Sequence, residues 1–242
     1  MSFILDFLAF KPPPPNPLPK KYTILMPSGN SALFISCPNK PLAPILVYSH
    51  GNDTGLGCHV NFLKRLSEDL QMHVFAYEYI GYGYSDKSPS EDNCYFSMAI
   101  SLRWLSQHFG GYEVIFMGQS IGTGPTCQIA ADIFTGELSF NFKLVHVILI
   151  APFLSIIQTK VSNRIFNLIM GGFDMFHNSE KIGFIKCPIL IFHGFDDKVV
   201  PFEHSLLLEK LGKDVKLISL ECGHKDIFVL KYDEIVNYIN CS

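Results

Sequence analysis

Short, nearly uninterrupted apolar runs recur along this chain and alternate with stretches of helical spacing. The runs cover residues 45–49, 72–79, 112–117, 144–150, 189–192 and 215–220. Helical patterns fall at 59–70, 90–109, 121–134, 204–211 and 226–239. A strand that is apolar at every position must be covered on both faces. The alternation therefore predicts a mostly parallel sheet with helices on both sides. A hairpin precedes it, pairing residues 22–26 with 32–37 around Pro27-Ser28-Gly29-Asn30. Ser90 is the expected N-cap of its helix, with acidic residues in the first turn. The 242 residues, 48% hydrophobic and 17% charged, suffice for one large core. We expect a single domain over residues 21–242, preceded by an apolar segment and a Pro-rich spacer over residues 1–20.

Sheets of this kind bind ligands beyond the C-terminal ends of their strands. After the run at 112–117 comes Gly118-Gln119-Ser120-Ile121-Gly122, between strand and helix. In that context G-x-S-x-G is a nucleophile elbow, and the expected architecture is the α/β-hydrolase fold. The turn is so tight that both flanking glycines must lack side chains. It presents the serine at a helix N-terminus, where negative charge is favoured. A serine needs a base to take its proton. In this fold the chain order is serine, acid, histidine. His224 follows the last strand and is the candidate base. His193 reads as structural, and His204 as a surface or packing residue of its helix. The acid belongs after the preceding strand, where Asp196 and Asp197 stand side by side, and spacing does not separate them. Two backbone N–H groups are expected to hold an oxyanion: that of Ile121, and one from His50-Gly51-Asn52-Asp53. Asn52 is the first choice there and Asp53 the second. Gly81-Tyr82-Gly83 lacks the spacing of a phosphate loop and reads as a tight turn at the site's rim.

This chemistry requires no cofactor and no metal. A net charge of −3 without a dense basic run gives no reason to expect nucleic acid. The seven cysteines are scattered, without a C-x-x-C pair, as expected for reduced thiols in a cytoplasmic protein. Residues 1–10, from Met1 to Phe10, are apolar apart from Asp6. They are too short to span a bilayer, and no signal peptide is expected. Two roles are open for them: packing on the domain, or peripheral contact with a membrane. The apolar residues between 154 and 186 are expected to form a short helical cap. Most should be core, with a few lining an acyl pocket.

The residues resemble one group within this fold, the α/β-hydrolase domain-containing protein 17 group and its Bem46-like relatives. The stretches that carry the resemblance are His50-Gly51-Asn52, Gly81-Tyr82-Gly83-Tyr84-Ser85, Pro89-Ser90-Glu91 with Asn93, and Gly118 through Thr126. Phe173-Asp174-Met175-Phe176-His177-Asn178 with Lys181-Ile182, Cys187-Pro188, His193-Gly194 and Gly223-His224 complete it. The resemblance implies a Ser-Asp-His triad. Its H-G-x-x-D pattern puts the acid at Asp197. It further implies hydrolysis of long-chain acyl thioesters on cysteines of membrane-attached proteins. Departures are Asp53, where the group usually has a small residue, and Glu78-Tyr79-Ile80, where it has D-Y-S. The expected function is thus a serine hydrolase acting on acylated protein or a small acyl ester. A palmitoyl-protein thioesterase leads, ahead of a broad carboxylesterase. A serine aminopeptidase-like peptidase and an inactive hydrolase scaffold are the remaining readings.

Overall fold

The computed structural model describes residues 9–160 and 174–241, without the side chains of residues 157 and 160. Eight strands form one sheet: β1 (Thr23–Leu25), β2 (Ser31–Ile35), β3 (Ile45–Ser49), β4 (His73–Tyr77), β5 (Glu113–Gln119), β6 (Lys143–Ile150), β7 (Ile189–Gly194) and β8 (Val215–Leu220). Their order is β1-β2-β4-β3-β5-β6-β7-β8. β1 and β2 pair antiparallel, as do β2 and β4. Every other pairing is parallel. β3, β4 and β7 are buried at every position, which is why their sequences do not alternate. The edge strand β8 has one neighbour and exposes part of its length.

The helices are α1 (Val60–Leu70), α2 (Glu91–His108), α3 (Thr123–Thr135), α4 (Ile156–Lys160), α5 (Asn178–Lys181), α6 (Glu203–Leu211), α7 (Ile227–Leu230) and α8 (Tyr232–Asn240). The period of two along the strands splits the core into two layers. Ile45, Val47, Phe75 and Phe116 pack with Met98 and Leu102 of α2 and Ile129 of α3. Leu46, Tyr48, Val74 and Met117 pack with Leu63 and Leu66 of α1 and Ile235 of α8. Ser90 caps α2 as expected, its hydroxyl accepting the Asn93 N–H at 3.1 Å with Glu91 and Asp92 in the first turn.

One expectation needs adjustment. The helical pattern at 226–239 is two helices, broken at Lys231. Ile227 and Tyr232 are both buried, yet five residues apart they cannot share one stripe of a continuous helix. The turn at Lys231 brings both inward. Of the cap, residues 161–173 lie outside the described residues. Phe153, Leu154, Met175 and Phe176 are buried in the core beside α3 rather than lining a groove. Of residues 1–10, Ala9 and Phe10 are buried and join the larger core, and Phe10 meets Phe176 edge-on at 6.0 Å. Residues 1–8 lie outside the described residues. No helix among the described residues is long and apolar enough to cross a membrane.

The group-specific stretches of sequence converge behind α3. The Glu91 carboxylate accepts the Phe176 N–H at 2.7 Å and the Tyr95 hydroxyl, and Lys181 Nζ donates to Tyr95. Asn178 Nδ2 donates to the Phe153 carbonyl at 3.0 Å. This polar lock fixes the start of α5 against α2, and Asn178 Nδ2 also lies 3.3 Å from Thr123 Oγ1 of α3.

Candidate active site

The strand order reverses beside β3, because the chain goes to β4 on one side and to β5 on the other. That reversal leaves a crevice at the C-terminal ends of β3 and β5. Ser49 pairs with Gly118 across it, so the loop after β3 and the elbow after β5 emerge side by side. Ser120 has φ of +51°, in the left-handed region, which costs a residue with a β-carbon about 1–3 kcal/mol. The surrounding contacts hold it there. A β-carbon on Gly118 would lie 2.5 Å from the Gly122 carbonyl oxygen, and one on Gly122 would lie 2.2 Å from that of Ser49. Gly122→Ala should therefore push the elbow off the β3 loop. It is expected to cost at least 1–3 kcal/mol, approximately the penalty for overpacking. It should also abolish any Ser120-dependent activity, as thermal melts and ester hydrolysis on the purified variant would show.

His224 Nε2 stands 3.0 Å from Ser120 Oγ, and His224 Nδ1 stands 2.6 Å from Asp197 Oδ2. Serine, imidazole and carboxylate thus form one hydrogen-bonded chain. Asp197 is buried, whereas Asp196 is exposed. The other Asp197 oxygen, Oδ1, accepts the N–H groups of Val199 and Val200, each at 2.8 Å. Burial alone would raise the Asp197 pKa. The hydrogen bonds from His193 and His224, the His224 charge and the Val200 N–H outweigh it and hold the carboxyl well below the usual range.

His193 is fully buried behind the acid. Its Nε2 lies 3.2 Å from Asp197 Oδ2 and 3.0 Å from the Val200 carbonyl oxygen. A carbonyl only accepts, so Nε2 carries the proton and Nδ1 accepts from Ser205 Oγ at 2.6 Å. The structural reading of His193 is correct, with a specific object: it buttresses the acid loop. His204, expected as a surface or packing residue, is buried and accepts the Leu154 N–H at 3.0 Å.

The loop after β3 rests on a polar network that local patterns do not reveal. His50 Nε2 lies 2.8 Å from Glu78 Oε1, and the pair is buried. Glu78 Oε2 accepts the Leu56 N–H at 3.0 Å. Tyr79 donates to the His50 carbonyl at 2.8 Å, and Tyr82 donates to Asn52 Oδ1 at 2.6 Å. Burial lowers the pKa of nearby His59 to about 4, so at neutral pH it is uncharged. Gly81, Tyr82 and Gly83 are not among the described residues lining the cleft; the turn reaches it only indirectly, through the Tyr82 hydroxyl on Asn52.

Asn52, Asp53, Ser120 and His224 line one open cleft of about 420 Å³. Ala9, Lys11, Gly51, Thr54, Gln119, Val199 and Lys225 complete it. Ile121 is buried beneath it, in the turn that begins with Ser120. Lys225 Nζ lies 2.9 Å from Asp53 Oδ2 at the cleft wall, and this contact lowers the Asp53 pKa. A serine hydroxyl, an imidazole and an ionised carboxylate in hydrogen-bonded order, open to solvent on one side, form an arrangement that can carry acyl transfer.

A family model described as alpha/beta hydrolase fold matches residues 44–164. Alpha/beta hydrolase domain-containing protein 17B of Homo sapiens is 33% identical over 202 residues, covering 81% of this chain and 65% of the relative. Alpha/beta hydrolase domain-containing protein aho-3 of Caenorhabditis elegans is 32% identical over 186 residues, covering 75% of this chain and 52% of the relative. The chain thus spans less than two thirds of these curated relatives' length. Among solved structures, a Pyrococcus furiosus esterase superposes with a TM-score of 0.70 at 13% identity, covering 95% of this chain and 97% of the other. A Paleococcus ferrophilus monoacylglycerol lipase gives 0.62 at 16% identity, with coverage of 87% and 96%. At such identities the structural likeness concerns the fold alone. The sequence matches reach further: this chain belongs to the alpha/beta hydrolase fold family and is related to its domain-containing protein 17 members.

Proposed function

We propose that this protein is a serine hydrolase that cleaves acyl esters or thioesters through an acyl-serine intermediate. The observation that carries this reading is the hydrogen-bonded chain from Ser120 through His224 to Asp197 at the wall of an open cleft. Ser120 Oγ attacks the acyl carbonyl while His224 Nε2 takes its proton. Asp197 holds the imidazole by its Nδ1–H and stabilises the imidazolium. The backbone N–H groups of Asn52 and Ile121 hold the oxyanion. His224 then returns the proton to the leaving thiol or alcohol. Water, activated by the same histidine, releases the acid and restores Ser120.

The substrate class we propose is a long-chain acyl thioester on a protein cysteine. The relationship to the domain-containing protein 17 group supports it. A broad carboxylesterase is the second reading, favoured by a cleft in which Ala9 and Val199 are the only aliphatic side chains among the described lining residues. Acyl chain length separates the two. Each buried CH₂ adds about 0.8 kcal/mol, so an acyl groove rewards length until it is full. The thioesterase reading expects kcat/KM to rise from acetyl to chains of about eight or more carbons. It also expects release of palmitate from an S-palmitoylated peptide. A maximum at acetyl would remove the thioesterase reading and leave the carboxylesterase.

A further inference from the structure

We propose that the N-terminal strap, residues 9–16, positions the oxyanion loop by gripping the Asn52 side chain, an inference that rests on the acyl-hydrolase reading. The strap runs along the loop that follows β3. Asn52 Nδ2 donates to the Ala9 carbonyl at 2.6 Å, and the Lys11 N–H donates to Asn52 Oδ1 at 2.8 Å. The carboxamide therefore meets a carbonyl and an N–H two residues apart on one segment of backbone. Its orientation is fixed, because a carbonyl only accepts and an N–H only donates. Tyr82 OH adds a second donor to Oδ1 from the opposite side of the chain, at 2.6 Å.

Phe10, between the two gripping residues, is buried and meets Phe176. That contact anchors the strap to the core beside the elbow helix. Residues 12–15 are all proline and offer no N–H, so Lys11 is the last backbone donor before Asn16. Asn16 then closes the far end, its Nδ2 donating to Cys58 Sγ at 2.8 Å. A stiff proline run between two fixed ends lets the strap lie on the loop with little ordering cost. Ala9 and Lys11 line the same cleft as Ser120.

An oxyanion donor helps catalysis only if it is aimed before the reaction starts. Loss of one such donor costs on the order of 10²–10³ in kcat. Releasing Asn52 leaves its backbone N–H present but unaimed, so the expected loss is smaller, about tenfold.

The test is a double-mutant cycle on a soluble p-nitrophenyl butyrate assay. Lys11→Pro removes the N–H that grips Oδ1 together with the lysine side chain at the cleft, so Lys11→Ala, which keeps the N–H, is its control and is expected to keep kcat. Asn52→Ala removes the gripped group while keeping the backbone donor. Lys11→Pro and Asn52→Ala are each expected to lower kcat about tenfold with KM nearly unchanged. The double variant should be no worse than Asn52→Ala, because Asn52→Ala already removes the contact that Lys11→Pro breaks. The second-order rate of fluorophosphonate labelling should fall in parallel. Melting temperatures, read alongside, separate lost positioning from lost folding. A wild-type kcat in Lys11→Pro, or additive losses in the double variant, overturns the inference. Absence of Ser120-dependent hydrolysis in the unmodified protein would instead overturn the acyl-hydrolase reading.

Discussion

Ser120→Ala is expected to lower ester turnover by at least about a thousandfold and to abolish fluorophosphonate labelling, with the fold retained. The size follows from the role proposed for the side chain. Without Oγ there is no acyl-serine, and only the oxyanion donors and the binding cleft remain to act on water. The fold should survive because Ser120 occupies a left-handed position shaped by its neighbours. The close approaches of Gly118 and Gly122 are untouched by the change. Alanine keeps the β-carbon and removes one hydroxyl from the cleft wall, where its hydrogen-bond partner is His224 Nε2. The comparison needs a melt and a labelling gel on the same preparation. Persistent labelling of a folded Ser120→Ala protein would sink the assignment.

Asp197→Asn should depress kcat by a factor on the order of 10⁴, the effect of the equivalent change in other serine–histidine–acid sites. The amide removes the charge that stabilises the imidazolium, and it can present an N–H where His224 requires an acceptor. Asp196→Asn should change kcat little, since that side chain is exposed. Equal losses in the two variants would reject Asp197 as the acid. The depressed pKa of Asp197 also fixes the sign of two pH effects. The carboxylate stays ionised throughout the neutral range, so an acid limb in kcat/KM at those pH values does not arise from Asp197. For stability, a folded pKa below the unfolded one means the contribution is fully present above the unfolded value of about 3.8. It is lost as pH falls through the folded value. Acid denaturation of Asp197→Asn should accordingly lack part of the wild-type loss below that pH.

The residues that make strands and the elbow announce themselves locally. A run such as Ile45 to Tyr48 does not alternate with polar residues because helices cover both faces, and that needs no knowledge of which helices. The glycines at 118 and 122 are dictated by the turn's own sterics, and Ser120 follows from them. The order serine, acid, histidine is a property of the connectivity, so His224 was legible at the end of the last strand.

Other features depend on groups far apart in the chain. Asp196 and Asp197 are indistinguishable by spacing. Their difference is that one faces solvent and the other meets His224, 27 residues away, with His193 behind it. The break at Lys231 arises because Ile227 and Tyr232 both find places under the same sheet, which no single helical stripe allows. The apolar residues of the cap region were expected to be mostly core, but which of them would be core was not legible, because hydrophobicity does not say which neighbour will cover a side chain. Phe153, Leu154, Met175 and Phe176 went to the core. The grip of Ala9 and Lys11 on Asn52 joins residues more than 40 positions apart through two backbone groups. Every residue but proline has those same groups, so only the folded path of the chain could bring these particular ones to the cleft.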